Sequence, residues 1–141
     1  MEPISAAAGA FKAGQALAGL LFASRTIEIV NECGTSISVA VCIGSRDAGH
    51  SAGWINIPAG HTHGRTVELP VYGTDVVIYG EASRKTWEWD VPINFYVLDG
   101  SGFVIKAARL TSSRVAAGTG TRRVVTGGLY RVSGNWKFTF R

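Results

Sequence analysis

The feature that most constrains this chain is a change of hydrophobic period at Thr26. Before it, residues 1–24 (MEPISAAAGAFKAGQALAGLLFAS) are rich in Ala, Gly and Leu and nearly empty of β-branched residues, and Pro3 stands where a helix can begin. After it, apolar side chains recur every second residue and turn chemistry punctuates the sequence. A chain built this way predicts one N-terminal helix followed by a β-rich remainder.

At 100° per residue, Ser5, Gly9, Lys12, Gln15 and Gly19 fall on one arc of that helix, and Ile4, Phe11, Leu17, Leu20, Leu21 and Phe22 spread around the rest. Small residues recur at spacing four, at Ala6, Ala10, Gly14 and Ala18, a pattern that lets helices approach closely. From Pro3 to Ser24 such a helix is about 33 Å long, close to the hydrocarbon thickness of a bilayer. Three readings follow. A cleaved signal peptide is disfavoured by Glu2, by Lys12 and by the lack of a small-x-small cleavage site. A helix docked on the β-region normally shows a wide charged outer face, which this one lacks. The third, and the expectation adopted, is a membrane-inserting helix: Ile4, Phe11, Leu17, Leu20, Leu21 and Phe22 meet lipid, Ser5, Lys12 and Gln15 line a pore, and Ala6, Ala10, Gly14 and Ala18 pack neighbouring helices.

The alternation predicts strands at Thr26–Glu32 and Ser36–Ile43, joined as a hairpin through Cys33-Gly34-Thr35 with Ile37, Val39, Val41 and Ile43 on its buried face. Further strands are expected at Trp54–Ile57, Thr66–Pro70, Asp75–Glu81, Thr86–Asp90, Ile93–Leu98, Phe103–Arg109, Arg122–Thr126, Leu129–Val132 and Trp136–Arg141. Pro58-Ala59-Gly60, Asp99-Gly100-Ser101-Gly102, Gly127-Gly128 and Ser133-Gly134-Asn135 read as turns, and Thr111–Gly120 as a mobile loop. Many short strands without an intervening helix predict a mainly β fold, a single antiparallel β-sandwich over 26–141 with the helix at 1–25. With 46% hydrophobic and 17% charged residues in 141, disorder and a coiled coil are excluded.

The net charge of +4 is an average over unlike parts. Residues 1–99 hold six basic and all ten acidic side chains, whereas 100–141 hold eight basic and no acidic ones. That cationic third, with Arg109, Arg114, Arg122, Arg123 and Arg131 as its candidate surface, suits an anionic lipid surface or another acidic partner. Nucleic acid is not expected, because the basic residues are scattered over strands with no helix for a groove and no stacking motif.

Catalytic chemistry is not expected either. His50, His61 and His63 with Asp47 are the only metal-ligand candidates, but their spacing is not diagnostic and exposed turn histidines explain them. No nucleophile elbow, phosphate-binding loop, HExxH or Cys-x-x-Cys is present. Neither cofactor nor metal is predicted. Cys33 and Cys42 sit too far apart in the expected hairpin for a disulfide. Trp54, Trp87 and Trp89, with Tyr72 and Tyr79 near in sequence, stand at strand ends and turns, where such side chains are either sheet core or an interfacial belt. Trp54, Tyr72, Trp87 and Trp89 are the lipid-facing candidates.

The order of elements, AAAGAFKAGQALAGLLFASR running into TIEIVNECGTSISVAV and then an aromatic-rich β-region, resembles the actinoporins. In that family a helix detaches from a β-sandwich and inserts into membrane. The resemblance implies a non-enzymatic, oligomeric, pore-forming protein, a soluble precursor that becomes membrane-associated, in a compartment left open. The chain is shorter than that family and lacks its tyrosine-rich headgroup cluster, so the target lipid is not implied. IEIVNECGTSISVAV, SAGWINIPAG and INFYVL also resemble an uncharacterised bacterial β-sandwich domain, which implies no activity. The alternative class is a binding or assembly module whose helix mediates oligomerisation and whose basic third holds an acidic partner.

Overall fold

The computed structural model describes residues 21–44, 50–100, 102–106, 114–117 and 122–141. They form ten strands: β1 (Phe22–Asn31), β2 (Ile37–Ile43), β3 (His50–Ile57), β4 (Thr62–Pro70), β5 (Thr74–Glu81), β6 (Pro92–Leu98), β7 (Phe103–Lys106), β8 (Arg114–Ala117), β9 (Arg122–Val132) and β10 (Trp136–Phe140). The expected mainly β class is observed. The strands divide into a three-stranded sheet, β10-β1-β4, and a seven-stranded sheet, β6-β9-β5-β2-β3-β7-β8.

The larger sheet curls into a half-barrel, and the side chains crossing its concavity show why it holds that shape. From β3, Ser51 Oγ donates to Tyr96 O on β6 at 2.8 Å and Trp54 Nε1 donates to Leu98 O at 2.8 Å. Between those elements Ala40, Cys42, Val77, Phe95, Val97, Phe103, Ile105 and Val125 make one apolar cluster. A second cluster fills the space between the opposite face and the small sheet, with Ile27, Ile29, Ile37, Val39, Ile57, Leu69, Val76, Ile78 and Phe140. Alternate residues of β2 enter different clusters, so this strand is buried on both faces rather than the expected one. Cys33 and Cys42 belong to different clusters.

The expected hairpin between the first two strands does not form, because β1 pairs with β4 and β10 while β2 pairs with β3 and β5. Asn31 dictates the change of sheet. Fully buried, it donates from Nδ2 to Thr35 O (2.8 Å) and Ile57 O (2.9 Å) and accepts from the Cys33 amide at Oδ1 (2.8 Å). Its backbone N–H donates to His61 O and its carbonyl accepts from Gly60 N. One side chain thus satisfies the orphan backbone groups of a corner, and 33–35 carries the chain between sheets instead of folding it back.

Other expectations are corrected at specific residues. Strand β1 starts at Phe22, four residues before Thr26, so Phe22–Arg25 extend opposite Val67–Pro70 rather than ending a helix, and the expected boundary at 25/26 falls inside a strand. The pairing of β1 with β10 is parallel, so the sheets are not wholly antiparallel. Thr86–Asp90 pairs with no strand; its alternation places Trp87 and Trp89 over Phe140 and Phe138. Gly127-Gly128 lies inside β9, where it allows close approach instead of a turn. Part of the expected loop 111–120 is strand β8, the rest lying outside the described residues. Strand β7 ends at Lys106, and 107–109 also lie outside.

Candidate functional site

The small sheet ends in an apolar tip. Pro70, Val71, Tyr72 and Gly73 make a tight turn between β4 and β5, closed by the Gly73 amide on Pro70 O at 3.0 Å. Gly73 has φ +98°, a conformation glycine adopts without steric cost, and it brings the chain back into β5. The two central residues, Val71 and Tyr72, consequently project outward, 40% and 66% exposed. Turn centres usually carry Asp, Asn, Ser or Gly, so two large apolar side chains there are unusual. Beside them the start of β1 adds Leu21 (46% exposed) and Phe22 (40%), pinned by the Val71 amide donating to Leu21 O at 2.7 Å. Phe22, Pro70, Tyr72 and Arg131 border one open surface groove of about 770 Å³. Four exposed apolar residues on two neighbouring segments therefore lie where residue 21 follows the first twenty.

Those first residues lie outside the described part of the chain. Ile4, Phe11, Leu17 and Leu20, the pore-lining candidates Ser5, Lys12 and Gln15, and the packing residues Ala6, Ala10, Gly14 and Ala18 are all among them. Of the expected inserting residues, Leu21 and Phe22 are described, and they belong to the tip. Among the described residues no helix is long and apolar enough to cross a membrane.

Three of the four lipid-facing aromatic candidates are turned onto protein. Trp54 stacks edgewise on Tyr79 and Phe103 and spends its N–H on Leu98 O. Trp87 packs edgewise on Phe140 and donates to Arg141 O at 3.0 Å, and Trp89 lies over Phe138, Phe140 and Gly128. All three are half-buried, so the core reading holds for them. Tyr72 alone of the four keeps the exposed position.

Three of the eight basic residues of the cationic third, Arg123, Arg131 and Arg141, are given acidic partners by the fold. Because β9 and β10 lie beside β5, β6 and β1, sequence segregation of charge becomes spatial pairing. Arg123 reaches Glu81 at 2.6 Å and Asp99 at 2.9 Å, Arg131 reaches Asp75 at 3.5 Å, and Arg141 reaches Glu32 at 3.1 Å. Burial works to lower the Arg123 pKa, but the hydrogen bonds to Glu81, Asp99 and Tyr79 outweigh it and hold the guanidinium above its ordinary value. Burial, then the hydrogen bond to Glu81, pushes the Tyr79 phenol up; Tyr130 is pushed up by burial and then by Asp90. Arg122 lies over the Tyr96 ring, 4.5 Å from its centroid. Arg114 pairs through its backbone with Lys106, and Arg109 lies outside the described residues. Of the five arginines, Arg123 and Arg131 thus have acidic partners and Arg122 an aromatic one.

The histidines do not converge on a metal. His50 opens β3 and His61 lies in the turn before β4, both exposed, while His63 sits within β4 and Asp47 lies outside the described residues. Among the described residues no group of three His, Cys, Asp or Glu gathers as metal ligands do.

Leu21, Phe22 and Tyr72 are each candidates on sequence, but their grouping with Val71 is not, because residues 21–22 and 70–73 are distant in sequence. The available signal was the apolar pair at the centre of Pro-Val-Tyr-Gly. No protein-family model, curated protein or solved structure is significantly similar to this chain.

Proposed function

We propose that the protein is membrane-active: the tip formed by Leu21, Phe22, Val71 and Tyr72 rests on lipid, and the preceding segment inserts as a helix and forms a pore by oligomerising. The carrying observation is the position of the exposed apolar tip at the point where the apolar N-terminal segment joins β1. Magnitudes say why both parts are needed. Fully burying a large apolar side chain contributes roughly 1.5–3 kcal/mol, so four half-exposed ones supply only about 3–6 kcal/mol, an attachment between millimolar and tens of micromolar on its own. A second anchor converts such marginal binding into stable binding, as two lipid signals do. The segment 3–20, with its small-residue spacing and single Lys12, fits that role, and the helix of the sequence reading is retained with its end moved back from Ser24.

Arg131 beside Tyr72 offers a cation at headgroup level, although Asp75 shares it. The assembly-module alternative draws less support, since Arg123, Arg131 and Arg141 already have acidic partners within the chain. Vesicle flotation tests the docking surface. Val71→Asp with Tyr72→Asp should leave the folded signal unchanged and reduce the vesicle-bound fraction at least fivefold; equal flotation of the variant and the parent would remove the tip from the account.

A further inference from the structure

Between the sheets lies a cavity of about 170 Å³ that the membrane reading does not use. Its walls are aliphatic: Ile27 and Ile29 from β1, Val41 and Ile43 from β2, Ile55 from β3 and Val67 from β4. A void of about 150 Å³ with such walls stays dry and admits a six-carbon apolar guest. The polar side chains that border it are His50 and Arg65, both exposed, so they stand where the cavity meets solvent. Among the described residues no carboxylate borders it.

The register of the small sheet places a further cation on the same face, outside the residues that border the cavity. Arg25 is the cross-strand partner of Val67 as Ile27 is of Arg65, so both arginines lie on the cavity-facing side of that sheet. The Arg25 Nε is buried and finds no hydrogen-bond acceptor among the described residues. A buried unmatched donor is costly, and the Arg25 guanidinium adds to the positive charge on the face that Arg65 shares.

We infer that this cavity holds the alkyl tail of a short-chain carboxylate, about six carbons long, with the carboxylate received at the mouth by Arg65 beside His50. Charge complementarity at the mouth selects an anion, and the aliphatic walls select an unbranched or lightly branched chain. The volume excludes a bilayer acyl chain, which spans half of a hydrocarbon core about 30 Å thick. The inference stands apart from the membrane reading and fails or survives independently of it.

Methyl-resolved NMR of the full chain titrated with hexanoate tests it. Saturable shifts of the Ile27, Ile29, Ile43 and Ile55 methyls are expected, with a dissociation constant of about a millimolar. Hexylammonium, the same chain with the opposite charge, should produce no saturable shift. Arg65→Glu, an exposed change, should weaken hexanoate at least tenfold with an unchanged unfolding midpoint. Ala52→Leu, which fills the cavity, should abolish binding; if that variant does not fold, Arg65→Glu carries the test alone. No shift at roughly 10 mM hexanoate, equal response to hexylammonium, or unaltered affinity in Arg65→Glu would each overturn the inference.

Discussion

Alanine in place of Gly128 should destabilise the fold in a way that depends on one tryptophan. A Cβ built on Gly128 falls within the Trp89 ring, against Cε3, with Cδ2 at 2.9 Å and Cζ3 at 3.1 Å. To admit it the indole must leave Phe138 and Phe140, whose centroids lie 5.9 Å and 6.3 Å away. Lost ring contacts cost about 0.5–1.5 kcal/mol, and re-exposing a half-buried side chain costs about 1–1.5 kcal/mol more. Removing glycine's freedom from the unfolded chain returns about 0.4–1 kcal/mol. The net is a loss of about 1–2 kcal/mol.

Gly127→Ala differs in kind. Its Cβ would stand 2.5 Å from Ile78 O and 3.0 Å from Ile78 C, backbone atoms of the neighbouring strand, so relief requires β5 and β9 to separate. That change should cost about 3 kcal/mol or more. Gly134→Ala, with nothing within 4 Å, is the control and should stay within about 0.5 kcal/mol. Denaturant midpoints at constant slope measure all three. In a Trp89→Ala background the penalty of Gly128→Ala should vanish, a coupling of about 1–2 kcal/mol, while that of Gly127→Ala should persist. An undiminished Gly128→Ala penalty in that background would refute the packing argument.

Asn31→Ala should cost about 2–4 kcal/mol, since one buried carbonyl, one part-buried carbonyl and one buried amide lose their partner at the sheet-changing corner; chemical denaturation checks it, and a loss below about 1 kcal/mol would mean that the corner holds without the side chain. Alkali should weaken the fold through Tyr79 and Tyr130, whose folded pKa values are raised above the ordinary value of 10.0. Their contribution is complete below the unfolded pKa and is lost as pH rises from about 10 through the folded values. The double change Tyr79→Phe with Tyr130→Phe should therefore shrink the fall in denaturant midpoint between pH 8 and about pH 11; an equal fall in parent and variant would assign the loss to other groups.

Local periodicity carried much of the fold to the reader of the sequence, and long-range packing carried the rest. Strands β2, β5 and most of β6 and β10 follow from β-branched and aromatic runs between turn residues, although β2 and β5 are buried on both faces, as the consecutive buried Val76, Val77 and Ile78 show, rather than on the one face alternation suggests. The β1–β2 hairpin was misread because Cys33-Gly34-Thr35 has turn chemistry, whereas the deciding group is the Asn31 side chain and its acceptor on Ile57, 26 residues away. Gly127-Gly128 was misread for the same reason: a glycine pair marks a turn locally, but here its purpose is room for Trp89 and the Ile78 backbone. The cationic third was legible as composition but not as a surface, because its acids arrive from strands 24 to 109 residues away. Tyr72 was identified as a lipid-facing candidate on sequence, while its tip neighbours Leu21 and Phe22 were assigned to a helix because Gly-Leu-Leu-Phe fits a helical arc as readily as a strand start.

The central claim is that residues 1–20 enter a bilayer from a body held by the tip. Dye release from anionic liposomes by the full chain and by a Leu17→Glu, Leu20→Glu variant measures it most directly. Both changes lie upstream of β1, and together they should cost about 3 kcal/mol of insertion, each less than the roughly 2.5–3.5 kcal/mol of a charged residue at a helix centre because they fall in the last turn of the helix. The account predicts release by the parent chain and at least a hundredfold higher concentration for the same release by the variant; equal release by the two would contradict it.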